Sequence, residues 1–216
     1  MTGFDFVPDW TVLAAYTVAC AILFITPGPD MSLFLARTIA GGRRAGVAAF
    51  LGASTGSLVH TLMAAVGLSA LLAASATAFL VLKVVGAGYL VWLAIDAIRS
   101  GSTLSLTSEG RAPASFRKTF LLGIGVNLTN PKVVLFFVTF LPQFVAASDP
   151  AAAAKLVFLG LYFIAFTLPC GLIMILVAER LVTFLKARPA VMRGIDWLFA
   201  SVFGLFAVKI LATDRP

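Results

Sequence analysis

Thr26-Pro27-Gly28-Pro29-Asp30 interrupts the first long apolar run of the chain, and Asn127-Leu128-Thr129-Asn130-Pro131-Lys132 interrupts another run in its second half. These two stretches decide the fold. Each proline removes a backbone donor and clashes with the carbonyl one turn back. Lipid satisfies no freed backbone group, so such breaks survive at membrane depth only where they are buried in protein or line a watery cavity. Matched interruptions in two halves of one chain point to the binding site of a transporter.

The membrane reading rests on composition. The 216 residues are 61% hydrophobic and 12% charged, with a mean hydropathy of +1.05. A soluble domain carries about 25% charged residues, so there is too little polar sequence here to cover one. The net charge of +7 does not signal nucleic acid. The basic residues fall between apolar runs instead of interleaving with aromatics, which is the pattern of cytoplasmic loops. Cys20 and Cys170 lie inside apolar runs and form neither a disulfide framework nor metal-ligand spacing. The N-terminal stretch carries Asp5 and Asp9 but no Lys or Arg. It lacks the positive region of a secretory signal, so the first apolar segment is expected to remain as a membrane helix.

A crossing helix needs about 20 apolar residues, more if tilted or broken. Six stretches qualify, near 10–40, 45–68, 77–98, 117–145, 152–178 and 192–211. Eleven basic residues fall in the loops after the first, third and fifth spans (Arg37, Arg43, Arg44; Arg99, Arg111, Arg117, Lys118; Arg180, Lys186, Arg188, Arg193), against Lys155, Lys209 and Arg215 on the opposite side. The bias places both termini outside and the three basic loops in the cytoplasm. The expected fold is an all-α integral membrane protein of six transmembrane helices, arranged as two inverted three-helix repeats with the first helix of each broken at proline. Residues 1–98 form the first repeat, 99–116 a cytoplasmic linker and 117–216 the second repeat.

The breaks hold the candidate site: Thr26, Pro27, Gly28, Pro29 and Asp30 with Asn127, Asn130, Pro131 and Lys132. Matching Pro29 to Pro131 sets Asp30 opposite Lys132. A lone charge at the bilayer centre costs about 2.5–3.5 kcal/mol even on insertion scales, and an opposed pair reduces that cost. Such a pair suits a zwitterion, with an ammonium at Asp30 and a carboxylate at Lys132; it equally suits a structural tie between the halves. The half-helix after each break adds free N–H groups that favour an anion. Asn127 and Asn130 either bind substrate or cap the broken backbone, and the Thr26 hydroxyl re-satisfies a carbonyl beside the proline. In the second span Gly52, Gly56 and His60 share one helix face. The glycines admit a close helix, within the subunit or in a homodimer. His60 and Asp30 are the proton-coupling candidates; a hydrogen-bonded packing role for His60 stays open. In the third span Tyr89 is expected to pack, and Asp96 with Arg99 to pair near the helix end. Pro169 and Cys170 suggest a kink in the fifth.

These motifs resemble the LysE/RhtB family of bacterial amino-acid exporters. Ile25-Thr26-Pro27-Gly28-Pro29-Asp30-Met31 is the most specific, and Arg37-Thr38-Ile39-Ala40-Gly41-Gly42-Arg43-Arg44-Ala45-Gly46 fits the basic turn that follows. Lys83-Val84-Val85-Gly86-Ala87-Gly88-Tyr89-Leu90 looks like the third-span signature. Asn127 to Lys132, followed by Phe140-Leu141-Pro142-Gln143-Phe144, looks like the fourth. The similarity runs from about Trp10 to the end, although family members commonly carry Asn at the position of Asp30. The resemblance implies an inner-membrane exporter of amino acids or related metabolites driven by the proton gradient. Its partners would be the lipid bilayer, a small zwitterionic substrate and protons, without nucleic acid. We expect neither an enzyme nor a resident cofactor or metal. No phosphate-cradling Gly-rich loop is present, which argues against a self-contained ATP-driven pump. Two alternatives remain: a redox carrier using Cys20 and Cys170, although neither break holds a cysteine, and a metal-ion exporter, although ligands are scarce.

Overall fold

Pro27 and Pro29 end one helix and open the next. In the computed structural model, which describes residues 6–100, 115–146 and 149–213, α1 (Trp10–Ile25) stops at Thr26 and α2 (Pro29–Ala74) begins with Pro29 in its first turn. Proline suits that position because its missing N–H would be unsatisfied there anyway. Between the two helices, Gly28 is fully extended. The Thr26 hydroxyl donates to the Ile22 carbonyl at 2.6 Å, which is the repair expected beside a proline.

α2 is not one rod. Gly42 has φ +76° and ψ 175°, a left-handed conformation that glycine adopts at no steric cost. The chain folds back there. Phe34 packs edge-on against Phe50 at 5.4 Å between ring centroids, and the Gly46 backbone lies close to Thr38 and the Phe34 carbonyl. A straight helix would hold those residues several turns apart. Residues 29–41 therefore continue from the first break, and 43–74 return alongside them.

The remaining described elements are α3 (Ala76–Ser100), α4 (Phe116–Thr129), α5 (Pro131–Leu135), a π-helical turn (Phe136–Phe140), a 3-10 turn (Leu141–Phe144), α6 (Ala152–Leu176), α7 (Ala178–Ala187) and α8 (Pro189–Thr213). Before α6, Asp149 Oδ1 accepts from the Ala151 N–H, and the Lys155 ammonium hydrogen-bonded to its other oxygen holds this carboxyl below the usual carboxylate range. Among the described residues, four helices are long and apolar enough to cross a membrane. The bent pair Phe116–Thr129 and Pro131–Phe144, inclined at 56°, makes a fifth crossing when taken as one. α1 has 16 residues, about 24 Å at 1.5 Å per residue, and does not span a hydrocarbon core of about 30 Å alone. Large apolar side chains such as Val66, Ile173 and Leu205 are well exposed on the long helices. Patches of that kind seek another apolar phase, and the chain is a multi-pass membrane protein.

Gly52 and Gly123 carry the closest helix crossing. A Cβ on Gly52 would run into the Phe120 carbonyl, and one on Gly123 into the Ala49 carbonyl. Small residues let membrane helices approach to backbone contact, so the glycine face of α2 is taken up by α4 inside the subunit.

Two buried clusters flank the breaks. The larger contains Tyr16, Phe136, Phe137, Phe140, Leu159 and Phe203. The smaller contains Met31, Phe34, Phe50, Ile175, Ala178 and Val182, at the end that holds the Gly42 turn and α7. α7 was not foreseen as a helix: Arg180 and Lys186, expected in a loop, lie on it, while Ala178, Val182 and Leu185 face inward. Tyr89 packs on Trp92 at 4.9 Å. α6 runs through Pro169 as one helix. Apart from its ends, the linker expected over 99–116, with Arg111, lies outside the described residues, as do Asp5 and Arg215.

Candidate functional site

The two breaks meet. Asn127, in the last turn of α4, donates from Nδ2 to Asp30 Oδ2 at 2.7 Å. Lys132, in the first turn of α5, reaches across to the other break and donates from Nζ to the carbonyls of Leu23 (3.1 Å) and Thr26 (2.5 Å). Those carbonyls belong to the C-terminal end of α1, the negative pole of that helix. Asp30 sits in the first turn of α2, at a positive pole. Each charge thus occupies the helix end that favours it.

The charge arrangement differs from the symmetric one expected from matching the prolines. Both charges serve the first break, while neutral groups serve the second. Asn130 Oδ1 accepts from the Lys132 backbone N–H at 3.1 Å, the capping role foreseen for it. His60 Nε2 donates to the Asn127 carbonyl at 3.4 Å, and its ring stacks on Phe137 at 5.6 Å. Asp30 and Lys132 act on each other electrostatically, yet the Lys132 ammonium is held by carbonyls and not by the carboxylate.

Between the breaks lies a cavity of about 60 Å³. By this measure one water needs about 10–15 Å³, so there is room for a few waters or one small polar group. Thr26, Gly28, Asp30, Asn127, Asn130 and Lys132 line it, together with Phe24, Met31, Phe34, Phe50 and Phe163. Asp30 Oδ1 is buried without a hydrogen-bond partner. Lys132 has three N–H donors and gives two to carbonyls. Gly28 leaves room for the ammonium: a Cβ there would lie 3.2 Å from Lys132 Nζ.

Six of the nine residues expected at the site line this cavity. Pro27, Pro29 and Pro131 do not; they create the breaks without forming the wall. His60 stands behind Asn127 and does not line it. Gly56 acts through Asn127, whose amide lies directly over it, where a Cβ would overlap. Gly56→Ala is expected to displace the Asn127 amide from Asp30 and lower transport by about tenfold, the worth of one charge-assisted hydrogen bond. Transport and detergent stability, measured together, check this; unchanged transport would show the Asn127–Asp30 contact to be dispensable.

Several residues escaped sequence reasoning. Ser54 and Ser57 on α2, Phe163 and Thr167 on α6, and the phenylalanines all line the cavity. The signal for the serines was present: small polar residues on the face that carries Gly56 and His60. Asp196 also went unnoticed, though it is a charged residue inside the last apolar run. It is 1% exposed on α8 and acts electrostatically on Lys132. Asp30 is therefore not the single intramembrane carboxylate.

A proline-broken, charge-bearing cavity between apolar helices is the arrangement that binding sites of membrane transporters use. The family model described as LysE type translocator matches residues 21–214, and the chain belongs to that family. It is 32% identical over 201 residues to the homoserine/homoserine lactone efflux protein of Salmonella typhimurium, covering 93% of this chain and 96% of that one. It is 29% identical over 201 residues to the leucine efflux protein of Klebsiella pneumoniae, covering 90% and 92%. An uncharacterized membrane protein of Vibrio cholerae is 31% identical over 213 residues, covering 96% and 99%. No solved structure matches the chain. Neither alternative gains support. Cys20 and Cys170 are free, and neither lines the cavity. Among the described residues no three His, Cys, Asp or Glu side chains gather as metal ligands.

Proposed function

We propose that this protein is a secondary exporter of amino acids or closely related metabolites in the bacterial inner membrane, working by proton-coupled antiport. The observation that carries the reading is the cavity itself, with one Asp30 oxygen and one Lys132 N–H left for a ligand. A substrate ammonium would sit at Asp30. Its carboxylate would sit at Lys132 and the α2 N-terminus, where Gly28 offers no side-chain cap and backbone N–H groups favour an anion. The efflux proteins among the relatives support the direction of transport.

Six crossings follow if α1 and residues 29–41 form one broken span and residues 43–74 the next. The second broken span then opens an inverted repeat, with both termini outside. The cavity lies between the two apolar clusters, and the smaller cluster stands at the end bearing Arg43, Arg44 and Arg180, the cytoplasmic side by the distribution of basic residues. Parting that smaller cluster would admit substrate; parting the larger one would release it. Asp30 takes either a proton or the substrate ammonium, and this exclusion makes the exchange obligatory.

Purified protein in liposomes tests the proposal by counterflow of a panel of labelled amino acids, with and without a pH gradient. Exchange above empty liposomes, stimulated by the gradient, is expected; no exchange of any amino acid would overturn the reading. His60→Gln is expected to raise KM through loss of support for Asn127 and to leave the midpoint of the pH profile in place. A displaced midpoint would assign the proton to His60 instead.

A further inference from the structure

The oxygens around Lys132 Nζ form a set that suits a cation from any source. Two are the carbonyls of Leu23 and Thr26, which accept from Nζ at 3.1 and 2.5 Å. They close α1, just before the chain unwinds at Thr26 and runs extended through Gly28. Unwound carbonyls and half-helix C-terminal ends are the groups with which broken-helix transporters coordinate a free sodium ion. Two more oxygens of residues lining the same cavity, Asp30 Oδ1 and Asn127 Oδ1, are buried without a hydrogen-bond partner. Oxygen acceptors with few donors among them make a setting for a hard cation. Asp30, and Asp196 from α8, act electrostatically on the same ammonium. A mere tie between the breaks needs no charge. At the second break the Asn130 side chain and His60 do that work as neutral groups, whereas a charge at membrane depth is costly.

We propose that the Leu23 and Thr26 carbonyls, with the Asp30 carboxylate and the Asn127 amide oxygen, form a site for one small monovalent cation, that the Lys132 ammonium fills it from within the chain, and that a free cation enters when this ammonium is removed. The site stands on the geometry alone; its part in transport rests on the exporter reading and deepens it. The cation is tethered to the second break while its carbonyl ligands belong to the first, so it remains through the cycle and no sodium ion accompanies the substrate. A divalent ion demands a fuller shell of ligands than this cavity of about 60 Å³ supplies.

The test uses the full chain and its Lys132→Ala variant in a buffer whose only added cation is N-methylglucamine, which is too bulky for the cavity. Sodium chloride or n-propylammonium chloride then replaces part of that buffer at constant ionic strength; propylammonium returns the atoms that the substitution deletes. Either salt is expected to raise the unfolding temperature of Lys132→Ala in detergent by about 2–4 °C. Either is also expected to raise its counterflow of labelled amino acids in liposomes by about tenfold, the worth of a regained charge-assisted hydrogen bond. Neither salt should move the native protein in either assay. Lys132→Met keeps the stem without the charge and should respond to neither, because the stem still fills the site. Lys132→Ser adds one oxygen ligand and covers the case in which the alanine variant fails to insert. No stabilisation of the alanine and serine variants by either salt, an equal response of Lys132→Met, or a sodium requirement in the native protein would overturn the proposal. Stabilisation without restored exchange would keep the site and overturn its part in transport. Absence of exchange by the native protein would overturn the exporter reading and leave the unfolding temperatures to decide the site.

Discussion

Lys132→Ala is expected to abolish export while the protein still inserts and purifies. Insertion follows from the apolar spans, which the substitution leaves alone. Transport fails for two connected reasons. The ammonium holds the Leu23 and Thr26 carbonyls at the end of α1, and no other described donor reaches them from the second break. Leaving buried acceptors unmade costs about 1–3 kcal/mol each, and the first break loses the tie that holds it against the second. The same nitrogen supplies the N–H proposed to receive the substrate carboxylate. A lost charge-assisted hydrogen bond of about 1.5–3 kcal/mol lowers affinity by roughly ten- to a hundredfold, before any distortion of the break is counted. Counterflow should therefore fall to the level of empty liposomes, with a lowered unfolding temperature in detergent. Lys132→Arg separates the two effects. It keeps the charge, but a planar fork replaces the compact ammonium beside Gly28, so stability should recover more than transport. Near-native exchange in the alanine variant would remove Lys132 from the site.

The prolines made the breaks legible because their chemistry is local: a missing N–H and a ring clash mark an interrupted helix wherever they occur. The Thr26 and Asn130 repairs were legible for the same reason, since both act within a turn of their own residue. The tertiary pairing of the charges was not. Matching Pro29 to Pro131 pairs two prolines that each open a helix, but it says nothing of side-chain reach. Lys132 is long enough to bridge to the other half-helix and does so, whereas the shorter Asp30 stays at its own helix end and meets Asn127. Asp196 was passed over although it stands inside the last apolar run, three residues after Arg193. The phenylalanines that line the cavity were hidden for another reason: in a chain with 19 phenylalanines, no single one stands out until the reversal at Gly42 brings Phe34 and Phe50 together. α7 was overlooked because its basic residues had already been assigned to a loop, although Ala178, Val182 and Leu185 carry the spacing of one buried helical face.

Asp30→Asn is expected to uncouple transport from the proton gradient. The substitution preserves shape, and the new amide oxygen can still accept from Asn127. It removes the negative charge and the capacity to hold a proton. Under the proposed exclusion of proton and substrate ammonium at the native carboxylate, acidification on the substrate-loading side should raise KM, and an opposing pH gradient should stimulate net export. In the variant residue 30 stays neutral at every pH. Its KM should rise by about tenfold or more through loss of a charged partner for the ammonium and should no longer depend on pH. Stimulation by the gradient should vanish, while slow counterflow at equal pH persists. That split distinguishes lost coupling from lost folding, because a misfolded variant would lose both activities together. If stimulation by the gradient survives in Asp30→Asn, the proton travels by another group, and the mutual exclusion proposed for Asp30 does not operate. Coupling through this carboxylate would be a property added to a binding chamber that the helix breaks create without it.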